Sequence, residues 1–136
     1  MSFIKNFLEW FKLKPKLDQN NLKPRFVKEA EIWWCKIGEN IGTEISGKGE
    51  KFTIPCIIYK KLSSYSFVVI PCSTQIKDGD WFVKLIQKKK EMVACLHQIK
   101  MIDYRRLDNK VGTLDDTDFA KVVVGFENLY NKNASK

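Results

Sequence analysis

Between residues 27 and 102 the chain gathers its β-branched and aromatic residues into short bursts: 32–37, 53–60, 65–70, 81–86 and 92–96. Turn-forming or highly charged segments interrupt them at 61–64, at Asp78-Gly79-Asp80 and at 87–91. Val, Ile, Phe, Tyr and Trp pack well on a pleated sheet surface, and runs of this length are too short for stable helices. With no helical pattern between them, the bursts exclude a doubly wound α/β fold and predict a small barrel or sandwich. Period two then puts Trp33 and Trp34 on opposite faces of one strand.

Helical spacing shows only at the two ends. Phe3, Ile4, Phe7, Leu8 and Phe11 form a stripe over residues 2–12, with Trp10 flanking it. Pro15, Pro24 and the polar run Asp18-Gln19-Asn20-Asn21 then read as a linker over residues 12–25. Near the C-terminus Phe119, Val122, Val123, Phe126, Leu129 and Tyr130 predict a helix whose first turn Asp115 or Asp116 caps. Its apolar face is expected against one end of the barrel, with residues 131–136 frayed. The organisation expected is an N-terminal helix and linker over 1–28, then a barrel domain with a C-terminal helix over 29–136.

The net charge of +8 points to a polyanionic partner, nucleic acid or an acidic protein segment, although a solvated basic surface would give the same figure. Half of that excess falls in residues 1–30, where seven Lys/Arg face three Asp/Glu. An amphipathic helix on RNA or on a membrane surface is one reading of this extension. A helix covering part of the barrel or a dimer partner is the favoured one, because the polar face is short and mixed. No apolar run reaches the roughly 20 residues that span a bilayer, and the N-terminus lacks the apolar core of a secretory signal, so a cytoplasmic protein without a membrane partner is expected. Cys35, Cys56, Cys72 and Cys95 are far apart and sit in or beside apolar runs, which suits reduced, buried thiols. One histidine and no paired ligand spacing leave no metal site, and no cofactor is expected.

A chain of short motifs runs through this strand pattern. A Gly-rich loop over 38–51 contains Gly42-Thr43-Glu44 and closes on Phe52-Thr53-Ile54-Pro55. The apolar run 67–70 ends in Pro71-Cys72-Ser73-Thr74-Gln75. Leu96-His97-Gln98-Ile99-Lys100-Met101-Ile102-Asp103 and Lys110-Val111-Gly112-Thr113 follow. In this order, over about residues 29–130, the pieces resemble the MazF/PemK family of toxin endoribonucleases from type II toxin–antitoxin pairs. The resemblance implies a mainly β, SH3-like barrel of the MazF/PemK/CcdB kind. It also implies a homodimer that cuts single-stranded mRNA without a metal, at chosen sequences, and is neutralised by a cognate antitoxin protein. The rivals are a non-catalytic module of the same fold binding nucleic acid or protein, and a toxin that poisons gyrase by protein contact.

Cleavage of this type uses the ribose 2′-hydroxyl as nucleophile and needs donors around the charged phosphorane. A guanidinium fits two phosphate oxygens with its planar fork. The resemblance puts an arginine at the residue before the loop-closing Pro55, and this chain has Ile54 there. One such donor is worth about a hundred- to a thousandfold in rate, so attenuated cleavage is expected. Ser73 takes the place of the family threonine, keeping a hydroxyl for the scissile phosphate; Glu44 matches the family glutamate, as a base or as a partner that orients a cation. Lys48 and Lys51 can bring positive charge near the missing arginine, and Thr74, Gln75 and Lys77 continue the groove that would hold RNA. Trp33, Trp34 and Trp81 are candidates for base stacking or for core. His97 reads as a surface or core-edge histidine, Gln98 as a structural hydrogen-bonder in a strand, and Lys88-Lys89-Lys90 as a solvated hairpin tip, with an RNA phosphate contact there as a secondary reading.

Overall fold

The computed structural model describes residues 5–131. Helix α1 (Phe7–Asp18) is followed by strands β1 (Glu31–Lys36), β2 (Thr53–Lys61), β3 (Ser66–Ser73), β4 (Phe82–Gln87) and β5 (Lys90–Cys95). A 3₁₀ turn (Leu96–Gln98), β6 (Lys100–Asp103), a second 3₁₀ turn (Tyr104–Arg106), β7 (Leu107–Thr113) and helix α2 (Asp116–Tyr130) complete the chain. The seven strands form one antiparallel sheet in the order β4-β5-β3-β2-β1-β7, with β6 also paired to β3. The sheet is mainly β architecture curled into a half-barrel. At its far end the β4–β5 tip comes back to β7, where the Gln87 and Lys88 side chains lie against Gly112.

Both faces of the sheet are covered, which is why its central strands read as nearly unbroken apolar runs. Inside the curl Trp33, Cys35, Ile54, Cys56, Ile58, Phe67 and Val69 pack with Val27, Ile102 and Leu107. On the other face Ile32, Ile57, Ile70, Cys72 and Leu85 pack against Val122 of α2. Phe126 of α2 stacks on Tyr59 at 5.1 Å, and the Tyr130 hydroxyl donates to the Leu96 carbonyl at 2.9 Å. Asp115 caps α2 by accepting from the Asp118 N–H at 2.8 Å. All four cysteines are buried free thiols. Trp33 is buried, while its neighbour Trp34 is 40% exposed on the opposite face.

The N-terminal segment departs from expectation in two respects. Helix α1 runs through Pro15 to Asp18 instead of ending near residue 12. Pro15 lies in its last turn, where a missing N–H costs one intrahelical bond. The predicted stripe is also not the docking face: Phe7, Leu8 and Phe11 are exposed, and Trp10 is the buried residue. Phe3 and Ile4, also assigned to the stripe, lie outside the described residues, as do 132–136 of the expected frayed end. Trp10 stacks on Phe52 at 5.5 Å and covers Gly38, whose φ of 89° and closeness to the indole leave no space for a Cβ. The segment after α1 is tied down as well. Arg25 donates to the carbonyls of Asp108 and Leu107, and the Tyr104 hydroxyl donates to the Leu22 carbonyl at 2.8 Å.

Candidate functional site

The Gly-rich loop between β1 and β2 folds back on itself. The Gly47 N–H donates to the Gly38 carbonyl at 2.7 Å, and the Asn40 N–H donates to Ser46 Oγ at 2.8 Å. Lys48 and Thr53 exchange backbone hydrogen bonds at 2.9 and 3.1 Å. Gln98 reaches across from the 3₁₀ turn, accepting from the Ile45 N–H at 3.1 Å and donating to the Thr43 carbonyl at 2.9 Å. That is the structural role expected of Gln98, performed from a 3₁₀ turn and not from a strand. On the other side Lys5 Nζ donates to the Asn40 carbonyl at 2.7 Å, and the Asn6 N–H to Glu39 Oε2 at 3.3 Å.

The loop so held walls a groove of about 1280 Å³ on the sheet. Thr43, Ile45, Ser46 and Lys48 line one side; Ser73, Thr74, Gln75 and Lys77, at and beyond the end of β3, line another. The last β2–β3 pair is Cys56 with Pro71, and two residues beyond it on each strand stand Ile54 and Ser73. Both residues reach the groove, although Ile54 is almost wholly buried in the inner core. Ser73 Oγ accepts from the Gln75 N–H at 3.1 Å, which uses one of its two lone pairs and leaves the hydroxyl hydrogen available to donate.

Two of the expected site residues lie elsewhere. Glu44 does not line the groove; its carboxylate accepts from the Ile41 N–H at 3.1 Å within its own turn. Lys51 points away and pairs with Asp108 of β7 at 3.5 Å. The loop doubles back after residue 47, so neighbours in sequence face different ways.

The curl also brings in residues that carried secondary or other roles in the sequence reading. Gln87, Lys88 and Lys90, from the hairpin tip, line the groove opposite the loop. Lys88 and Lys89 occupy left-handed backbone at φ 53° and 64°, the geometry of a two-residue hairpin turn usually built from Asn-Gly. Trp81, Phe82 and His97 form an aromatic cluster at the same groove. The imidazole sits 5.5 Å from the Trp81 ring and 5.3 Å from the Phe82 ring, and Lys77 lies over Phe82 at 6.0 Å. Burial pushes the His97 pKa down and Lys77 pushes it the same way, against the pull of the Trp81 backbone. Burial likewise raises the Cys95 thiol, to about 11, and Cys72 still further. The run of three lysines in a predicted turn and Trp81, a stacking candidate, are the sequence signals on this side.

The electrostatic character follows from the lining. Lys48, Lys77, Lys88 and Lys90 all face the groove, and none joins an ion pair among the described residues. Among the described residues no Asp, Glu or Arg lines it. Charges of one sign on a concave surface focus the field and favour an anion, and the aromatic faces beside them suit flat rings. Among the described residues no cluster of His, Cys, Asp or Glu could hold a metal ion. No helix among them is long and apolar enough to cross a membrane.

Residues 28–129 match the family described as PemK-like, MazF-like toxins of type II toxin–antitoxin systems. The chain belongs to the PemK/MazF toxin family. Solved structures share the MazF fold. MazF from Deinococcus radiodurans aligns with a TM-score of 0.63 at 15% identity, over 77% of this chain and 97% of that one. The MazE–MazF complex from the same organism gives 0.58 at 14% identity, over 79% and 98%. A mycobacterial endoribonuclease in complex with its cognate antitoxin gives 0.57 at 10% identity, over 75% and 92%. No curated protein matches this MazF-like chain in sequence.

Proposed function

We propose that this MazF-like toxin binds single-stranded RNA along the groove and cleaves it without a metal, through the ribose 2′-hydroxyl, leaving a 2′,3′-cyclic phosphate and a 5′-hydroxyl. The observation that carries the reading is the lining: four lysines outside any ion pair and three aromatic rings, with no carboxylate among them. Phosphates would meet Lys48, Lys77, Lys88 and Lys90, and exposed bases would stack on Trp81 or Trp34. Ser73 donates its hydroxyl hydrogen to the scissile phosphate, with Thr74 and Gln75 beside it. The solved relatives described as an endoribonuclease and as a MazE–MazF complex support both the activity and neutralisation by an antitoxin. Glu44 and Lys51, turned away from the groove, take no direct part.

Ile54 stands where the resemblance expects the phosphate-binding arginine, and no arginine lines the groove. Cleavage is therefore slow for the family. This same observation favours the second reading, a toxin that binds RNA and does not cut it. The test is incubation of the full chain with single-stranded RNA in EDTA, resolving products by their termini. Cyclic-phosphate ends that vanish in Ser73→Ala support the enzyme; tight binding with intact RNA supports the second reading. A homodimer is part of the proposal, and a monomeric mass by light scattering at micromolar concentration would remove it.

A further inference from the structure

We infer that His97 is the base that takes the proton from the attacking 2′-hydroxyl. The inference rests on the cleavage reading above and adds a proton acceptor to it. Metal-free attack needs such a group within hydrogen-bond reach of the ribose. The groove offers few. No carboxylate lines it, and Glu44 accepts a backbone N–H outside it. The lysine ammonium groups are donors with no acceptor site. Cys72 and Cys95 touch the groove, but burial holds both as thiols near neutral pH.

What remains is the imidazole of His97, on the groove wall with Lys77 as the charged group acting on it. It is placed with some rigidity. The Leu96–Gln98 turn is fixed below by Tyr130 of α2, and Gln98 is pinned to the loop. Trp81 and Phe82 hold the ring from two sides. A neutral imidazole carries its proton on one ring nitrogen and keeps the other as an acceptor. The depressed pKa keeps the ring neutral near pH 7, the form that can receive a proton.

In the step, the 2′-oxygen bonds to phosphorus as its proton passes to His97, and the P–O5′ bond breaks. The departing 5′-oxygen takes a proton from water, and the hydroxide so formed removes the proton from the imidazolium. Cleavage then rises with pH through the titration of His97 and levels off above it.

The chain has one histidine, so one imidazole signal reports the residue by proton NMR. The probe is a single-stranded oligodeoxynucleotide, which lacks the 2′-hydroxyl and stays intact; its binding is followed independently by tryptophan fluorescence. At saturation the phosphates should raise the His97 pKa by about one unit. In single-turnover cleavage of RNA in EDTA, His97→Gln should be about a hundredfold slower or more and lose the acid limb, with oligodeoxynucleotide affinity little changed. A His97→Gln toxin that cuts at the parental rate with the same pH profile overturns the role and leaves the cleavage reading standing. So does an oligonucleotide that binds without moving the titration. An unmodified toxin that cuts no RNA overturns both.

Discussion

The salt dependence of RNA binding tests the groove most directly, because its magnitude follows from the lining. Four lysines face the groove without carboxylate partners. If each neutralises one phosphate of a single strand, the logarithm of the association constant falls against the logarithm of salt with a slope of about −2.8, from about −0.7 per contact. A roughly fourfold rise in salt should then weaken binding by about fiftyfold. Removing two contacts with Lys88→Asn and Lys90→Gln should halve the slope to about −1.4, so that the same change costs only about sevenfold. Asn is chosen at 88 because it tolerates the left-handed backbone found there. Lys51→Gln serves as the control, since Lys51 faces Asp108 and not the groove. Fluorescence anisotropy with a labelled oligodeoxynucleotide gives all three slopes. A double variant that keeps the parental slope, or a Lys51→Gln slope that falls as far, would refute the path of the strand proposed here.

Substitutions at three further residues test the fold and the site. Glu31 is buried, accepting from the Lys28 N–H and Trp33 Nε1 and pairing with Lys110 at 2.8 Å, so Glu31→Ala should cost about 2–3 kcal/mol in urea unfolding by stranding the indole N–H. Burial pushes the Glu31 carboxyl up, but Lys110, Lys28 and Trp33 outweigh it and hold its pKa below the ordinary value. Its contribution is therefore present above the unfolded pKa and lost as pH falls through the folded one; Glu31→Gln should flatten that acid limb of the stability profile. Gln98→Ala removes the two hydrogen bonds from the 3₁₀ turn to the Gly-rich loop, and amide exchange at Ile45 should quicken by about tenfold, equivalent to about 1.4 kcal/mol, while the β2–β3 amides stay protected. Ile54→Arg sets a guanidinium beside Ser73 and should raise cleavage by at least about tenfold. It should also lower stability by about 2 kcal/mol or more, because Ile54 belongs to the inner core; unchanged cleavage in a folded variant would mean a lysine already supplies the cation.

Strands β1, β2, β3 and β5 were legible because they have core on both faces of the sheet, which leaves an apolar signal strong enough to survive short length; β4 buries only Leu85 and was legible from its β-branched and aromatic residues. Strand β7 was not. Leu107-Asp108-Asn109-Lys110-Val111-Gly112-Thr113 is polar and contains a glycine, and its pairing with β1 is interrupted by irregular register at Ile32/Trp33 and Trp33/Cys35. Its conformation comes from the neighbour and not from propensity. Helix α1 passing through Pro15 has the same kind of cause: a proline signals a break only where the turn cannot spare the bond. At the site, Ser73, Thr74, Gln75 and Lys77 follow one another along a strand end, so sequence order and groove order agree. Lys88, Lys90 and His97 join them only through the curl, while Glu44 and Lys51 drop out because a folded loop points successive residues in different directions.

The grip of α1 on the Gly-rich loop has a mechanical consequence. Lys5 and Asn6 hold the loop near Asn40, and Trp10 sits on Gly38 at its root. Docking of the helix and ordering of the groove wall are therefore coupled. Linkage makes the coupling reciprocal: to the extent that a docked helix favours the formed wall, a formed wall favours the docked helix. The helix leaves Phe7, Leu8 and Phe11 in the open while its Trp10 is locked down, so a load applied to that outer face is transmitted to a groove it never touches.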